Sequence, residues 1–268
     1  MYVHTIILLI QFNGFCGVRR DIPCFESRTR LRGKSFRMDL PLSDIAQMID
    51  ASAVRPDSSD ERVIEAVDCA RKYGCYLVTV LPSQNRLLKE LLQGQPTPRA
   101  GGNVGFPSGG QTTSIKVLET KELVNLGVDE IDMVINVGAL ISNHLTRVGD
   151  DIRAVVDAAE SRPVKVILEC HYLTEDQIRA GCDLAIQAGA AFVKTGTGWA
   201  PTGATLENVA LIKRHVGSAI LIKASGGVRT LETIQAMYSL GASRFGISAR
   251  SIEKIFSAQF QVDSAQPS

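Results

Sequence analysis

Several function classes are disfavoured by what this sequence lacks. Its six cysteines (Cys16, Cys24, Cys69, Cys75, Cys170 and Cys182) form no CxxC pair, and its four histidines (His4, His144, His171 and His215) are scattered. That spacing gives a zinc site little support, so no metal and no other cofactor is expected. Reduced thiols in a cytoplasmic protein are the simplest reading. No GxGxxG or GxxxxGK[ST] follows an apolar run, and nucleotide-fold signals are therefore missing. Charge of one sign is lacking too: the net charge is +1, and nothing points to nucleic acid as a partner. The longest apolar run near the N-terminus, Ile6 to Ile10, is too short to cross a bilayer. Met1 to Thr5 carries no Lys or Arg, so neither a membrane association nor a secretory signal is expected. The sequence does not set an oligomeric state and leaves a homo-oligomer open.

What is present is ordinary globular composition. The 268 residues are 45% hydrophobic and 21% charged, enough to bury a sizeable core without a disulfide or metal staple. Residues 1–38 stand apart, with seven basic side chains against two acidic ones and no persistent apolar period. We read them as a disordered or spurious upstream extension, with Met38 as the working start. An Arg-rich organelle-targeting segment and a nucleic-acid arm are the alternatives. Residues 39–268 then form the folded unit with a short C-terminal tail.

From Asp39 onward, short Val- and Ile-rich runs alternate with longer stretches of helical period. Strands are expected near 48–53, 76–81, 101–106, 130–136, 164–170, 191–196, 219–224 and 244–248. Helices are expected over 59–73, 84–93, 113–126, 145–160, 174–188, 204–215, 230–240 and from about 248 to 258. Thr174-Glu-Asp-Gln177 fits a capping box. Eight βα units with short loops imply parallel strands and right-handed crossovers, and so an α/β fold closed as a (β/α)8 TIM barrel. A doubly wound open sheet is the alternative.

Barrel enzymes carry their reacting groups at the C-terminal ends of strands, and alternate strand residues face inward. Three charged residues interrupt apolar runs there: Asp132 in Glu130-Ile-Asp-Met-Val-Ile135, Lys194 in Ala191-Phe-Val-Lys-Thr-Gly196 and Lys223 in Ile220-Leu-Ile-Lys-Ala-Ser225. A lone charge buried there is costly unless paired. Lys194 and Lys223 fall on adjacent strands, one βα unit apart. Two inward ammoniums disfavour each other's charge, and burial acts the same way. A neutral amine so produced attacks carbonyls and forms Schiff bases. The plain alternative is a structural lysine paired with Asp132 or Glu169.

A second group suggests phosphate binding. Ser225-Gly226-Gly227-Val228 follows strand seven and Gly246-Ile-Ser248 closes strand eight, where barrel phosphate sites are commonly built. Gly196 and Gly198 line the same rim, and Arg229 adds charge. Trp199, the only tryptophan, is placed to cover the pocket or to pack on a neighbouring loop. His171 and Cys170 close strand five, where a hydrogen-bonded wall histidine is favoured over a general base.

Four motifs, DEIDMVIN at 129–136, VGFPSGGQTTSIKV at 104–117, VKTGTG at 193–198 and IKASGGVRT at 222–230, resemble those of the deoxyribose-phosphate aldolase family of class I aldolases. The resemblance runs from about residue 39 to residue 258, in the right order. It implies that Lys194 is the Schiff-base lysine, that Lys223 lowers its pKa, and that Asp132 works with water in proton transfer. It also implies that Gly198, Gly226, Gly227, Gly246 and Ser248 contact the substrate phosphate. The implied reaction cleaves 2-deoxy-D-ribose 5-phosphate to glyceraldehyde 3-phosphate and acetaldehyde without metal. Three departures bear on the substrate. Asp50-Ala51-Ser52 stands where the family has Asp-His-Thr, Thr79-Val-Leu81-Pro82 stands where it has Cys-Val-Asn-Pro, and the C-terminal tyrosine of some members is not recognisable. The competing expectations are an aldolase of the same mechanism on a different carbonyl substrate, and a phosphosugar-binding protein without turnover.

Overall fold

Eight parallel strands close into a barrel in chain order, β1 pairing with both β2 and β8. The structure is a computed structural model that describes residues 40–264. Residues 1–39 and 265–268, and with them the reading of 1–38 as an extension, lie outside the described residues. The strands are β1 (Ile49–Ala53), β2 (Leu77–Val80), β3 (Arg99–Val104), β4 (Glu130–Val134), β5 (Val164–Ile167), β6 (Phe192–Lys194), β7 (Leu221–Ser225) and β8 (Arg244–Ser248). The helices are α1 (Leu42–Ala46), α2 (Asp60–Tyr73), α3 (Asn85–Leu91), α4 (Thr113–Leu126), α5 (Val137–Ile141), α6 (Leu145–Ala158), α7 (Glu175–Gln187), α8 (Leu206–Val216), α9 (Leu231–Ser239) and α10 (Ala249–Ser264). This is the expected (β/α)8 TIM barrel. Among the described residues no helix is long and apolar enough to cross a membrane.

The main core is the ring between the strands' outer faces and the helices. Ile49, Val78, Ile131, Val166, Val193, Ile222 and Phe245 from the strands meet Val63, Val67, Ile152, Ile212 and Ile234 from the helices. The opposite faces of the same strands point into the barrel, where aliphatic packing is usual. Here much of that space is filled by charged side chains instead.

Element ends differ from the expectation where backbone conformation overrides pattern. β3 runs over Arg99–Val104 rather than 101–106, because Gly105 turns the chain at φ 65°. β5 stops at Ile167: Glu169 takes a positive φ of 56°, and a 3-10 turn follows over Cys170–Tyr172. Cys170 and His171 are thus in that turn and not at the end of a strand. The five-residue helices α1 and α5 were not expected, since they are too short to show a 3.6-residue period.

The capping box at α7 is formed. The Gln177 N–H donates to Thr174 Oγ1 at 3.3 Å, and the Thr174 N–H donates to Gln177 Oε1 at 2.9 Å. Thr174→Ala should therefore lower stability by about 1 kcal/mol and leave turnover unchanged. Thermal denaturation checks this, and an unshifted midpoint would show that the box contributes nothing.

Candidate active site

The polar interior is a consequence of strand alternation and register. Lys194 lies opposite Lys223, Lys223 opposite Arg244, and Asp132 is flanked by Asn103 on one side and Lys165 on the other. Closure sends these side chains to one point. Lys194 Nζ donates to Asp132 Oδ2 at 2.8 Å, and Lys223 Nζ donates to the same oxygen at 2.7 Å. Lys165 Nζ donates to the other oxygen, Oδ1, at 2.7 Å and stands 2.8 Å from Glu130 Oε2. Lys223 also pairs with Asp50 Oδ2 at 2.5 Å, and Arg244 Nη1 reaches Asp50 Oδ1 at 2.9 Å and Glu130 Oε2 at 3.3 Å. All seven side chains are buried.

The cluster holds four cations, Lys165, Lys194, Lys223 and Arg244, against three carboxylates, Asp50, Glu130 and Asp132. Discharging one cation would balance it. Burial pushes the Lys194 ammonium down to about 8; Lys223 and Lys165 act in the same direction, and Asp132 opposes them. At that value roughly one amine in ten is neutral at pH 7, against roughly one in 2,500 for an ordinary lysine. Lys165 moves the other way. Burial alone would discharge it, but Asp132, Glu130 and Asp50 outweigh burial and hold it protonated. Burial likewise raises Asp132, and the three lysines overcome it, keeping the carboxyl well below the ordinary range. Of these groups, Lys194 is the cation whose charged form burial and its neighbouring ammoniums disfavour.

Above this cluster the barrel mouth has two unlike halves. Over β7, β8 and β1 lies a cavity of 480 Å³ lined by Ser52, Gly198, Gly226, Gly227, Gly246 and Ser248 among others. Arg55, Arg62, Arg229 and Arg250 line it against Asp57 and Glu65, and Arg62 is paired with Glu65. The balance favours an anion. Gly226 and Gly227 have φ of 90° and 104°, a conformation that L side chains avoid, so their loop requires glycine. The lysines do not line this cavity. They lie beside its inner end, where a Cβ on Gly246 would come within 3.4 Å of Lys223 Cε. The other half is apolar: buried Phe106, Val134 and Ile167 pack with Val54, Leu81 and Trp199. Ile167 is opposite Lys194 in the β5–β6 register.

The structure brings together Lys194, Lys223 and Asp132, and separately gathers Gly198, Gly226, Gly227, Gly246, Ser248 and Arg229 around the cavity. Glu169 does not pair with the lysines; it accepts from the Thr197 hydroxyl and N–H. Trp199 belongs to the apolar half, donating from Nε1 to the Val54 carbonyl at 2.8 Å and meeting Phe106 edge-on. His171 is exposed and bonds through Nδ1 with Thr202 Oγ1 at 2.7 Å. Of the β1 departure from the family motif, Ala51 does not face the pocket: β1 turns Asp50 and Ser52 inward, so Ala51 points out and packs in the main core. Thr79 is inward, and Asn103 Nδ2 donates to its hydroxyl at 2.9 Å. The four described cysteines are free and buried.

Sequence reasoning missed Lys165, Glu130, Arg244 and the pairing role of Asp50. Lys165 carried the same signal as the three residues that were found, since it interrupts Val164-Lys-Val-Ile167. Glu130 and Arg244 begin their strands, where a charge reads as solvated. Among the described residues no three His, Cys, Asp or Glu side chains are grouped so as to hold a metal ion.

Comparison with known proteins identifies the family. The family described as DeoC/LacD family aldolase matches residues 48–249. The deoxyribose-phosphate aldolase of Klebsiella pneumoniae is 43% identical over 226 residues, which span 84% of this chain and 91% of that protein. That of Sinorhizobium medicae is 46% identical over 208 residues, 77% of this chain and 84% of its own. Among solved structures, the aldolase QR15 superposes with a TM-score of 0.77 at 35% identity, covering 84% of this chain and 99% of that one. A deoxyribose phosphate aldolase from Aeropyrum pernix, described as a tetramer, gives 0.75 at 25% identity over 83% of this chain and 93% of that one.

Proposed function

The chain belongs to the DeoC/LacD family of aldolases, and we propose that it is a class I aldolase that cleaves 2-deoxy-D-ribose 5-phosphate with Lys194 as the imine-forming amine. The observation that carries the assignment of Lys194 is the excess cation: two amines share one carboxylate oxygen in a dry interior where ammoniums and guanidinium outnumber carboxylates by one.

The neutral Lys194 amine attacks C1 of the open-chain aldehyde, and the carbinolamine takes up one proton and loses water to leave a protonated imine. The C3 hydroxyl gives up its proton, the C2–C3 electron pair moves toward the imine, and the imine becomes an enamine. Carbon count puts the scission at C2–C3, since acetaldehyde keeps two carbons. The three-carbon aldehyde phosphate leaves, the enamine takes a proton at C2, and water releases acetaldehyde and the neutral amine, returning the proton taken up in imine formation. The proton lost from the C3 hydroxyl is balanced by the one gained at C2. Asp132, held ionised by three ammoniums, steers that proton through water rather than storing it, and its charge offsets the cationic imine. Lys223, on the same oxygen, disfavours the charged form of Lys194 in the free enzyme.

Substrate orientation follows from the two halves of the mouth. The phosphate sits against Gly198, Gly226, Gly227, Gly246 and Ser248 with Arg229 beside it, and this remote binding fixes the sugar in register. The two carbons that become acetaldehyde then face Ile167, Val134 and Phe106. Leu81, in place of an amide that would bond sugar hydroxyls, favours a second reading in which the same mechanism serves a less hydroxylated acceptor. The substrate is then a small phosphorylated sugar, and reduced cysteines fit a cytoplasmic location.

Borohydride reduction in the presence of acetaldehyde, followed by peptide mapping, tests the assignment. A mass tag on Lys194 is the expected result. No tag on any lysine would reduce the protein to a phosphosugar binder, and an acceptor panel preferring unphosphorylated aldehydes would give the second reading the advantage.

A further inference from the structure

We propose that Lys165 is a positioning residue of the aldol reaction: by occupying Oδ1 of Asp132 it leaves the barrel interior one cation in excess, so that Lys194 is the group that yields its proton. The inference rests on the imine-forming role of Lys194 proposed above. Lys165 is fully buried, and its contacts are to carboxylates of the cluster. Its ammonium lies 2.7 Å from Asp132, 2.8 Å from Glu130 and 3.9 Å from Asp50.

Three consequences follow from that placement. First, Asp132 has two oxygens and three lysines. With Oδ1 taken by Lys165, only Oδ2 remains for Lys194 and Lys223 to share. Second, a carboxylate bonded at both oxygens cannot rotate, so the shared oxygen is held at the point where the two amines meet. Third, Lys165 supplies the charge that tips the count. Without it, three cations would face three carboxylates and Lys194 would balance the cluster by keeping its proton. With it, the cluster is balanced only when one cation discharges. Arg244 cannot supply a neutral form at ordinary pH, and Lys165 is the most heavily paired of the lysines.

The charged and titratable groups that face this point come from several strands. They are Asp50 of β1, Tyr76 just before β2, Glu130 and Asp132 of β4, Lys165 of β5, Lys194 of β6, Lys223 of β7 and Arg244 of β8. The Tyr76 hydroxyl donates to Glu130 at 3.1 Å. Glu169, beyond the end of β5, is engaged by Thr197.

The experiment reads the pH midpoint at which borohydride traps the acetaldehyde adduct on Lys194. Lys165→Met should raise that midpoint by more than about one pH unit, with neutral-pH turnover falling at least about tenfold and recovering at alkaline pH. Glu130→Gln, which removes an anion and keeps Lys165, should lower the midpoint. The double variant Lys165→Met with Glu130→Gln restores the single excess cation, and its midpoint should return toward that of the unmodified protein. A structural role alone predicts lost activity with no displacement of the midpoint and no recovery in the double variant. An unmoved midpoint in Lys165→Met, or a double variant as displaced as the single one, overturns the proposal. Should Lys165→Met fail to fold, as circular dichroism would show, Glu130→Gln carries the test: a lowered midpoint supports the proposal and an unmoved one overturns it. Absence of any Lys194 adduct in the unmodified protein would instead remove the imine reading on which the inference stands.

Discussion

Lys194→Met should abolish turnover while leaving the protein at least as heat-stable as before. The activity loss follows from covalent catalysis. Without the amine there is no imine, no electron sink for the C2–C3 bond, and only binding is left. Removal of a covalent nucleophile elsewhere costs on the order of 10⁶-fold, and a loss of at least about 10⁴-fold is expected here. The stability outcome follows from the charge count. Lys194 is the fourth cation facing three carboxylates, and its burial disfavours its charge. Methionine is close in length and apolar, so the substitution discharges the surplus without opening a cavity. Replacing a buried charge by an apolar group of similar volume is often neutral or stabilising. Thermal denaturation and a product assay on the same preparation read both outcomes. Activity above about 1% of normal would shift the nucleophile to Lys223, and a large fall in the melting midpoint would contradict the excess-cation account.

Asp132→Asn should separate the two halves of the reaction. Turnover is expected to fall about 10²–10⁴-fold, because the proton between the C3 hydroxyl and C2 loses the group that steers it. Adduct formation should persist, and its midpoint should move to lower pH. The sign is fixed by the contacts: the Asp132 carboxylate favours the charged form of Lys194, while burial, Lys223 and Lys165 favour the neutral one. Removing the carboxylate removes the opposing influence. The cost appears as stability, since three buried ammoniums lose their shared anion, and breaking such a buried arrangement costs about 3–5 kcal/mol. Borohydride trapping across pH, set beside steady-state rates, distinguishes this from simple unfolding. A trapping midpoint that rises would mean that Asp132 does not hold the Lys194 proton in the free enzyme.

Both expectations depend on a feature that differs from ordinary barrel interiors. Strands covered on both faces should read as continuous apolar runs. Here the inward positions of β1, β4, β5, β6, β7 and β8 carry charge while the outward positions keep the aliphatic side chains that bind the helices. Stability is thus concentrated in the outer ring, and the interior is free to hold a charged cluster. The mouth beside that cluster divides into an Arg-rich cavity and an apolar wall.

The sequence by itself determined the rhythm of strands and helices, the closed barrel, and the interruption of apolar strands by Asp132, Lys194 and Lys223, because period-two alternation and burial are local properties written residue by residue. It also marked the glycines that follow β6 and β7, whose backbone conformations need no side chain. Only the tertiary structure decided that Lys194 and Lys223 share one oxygen of Asp132, that Lys165 holds the other, and that Ala51 faces the helices and not the pocket. Those are matters of distance and charge balance among side chains from six strands, up to 194 residues apart in the chain. No window of sequence contains them, because they come into being when β8 closes on β1.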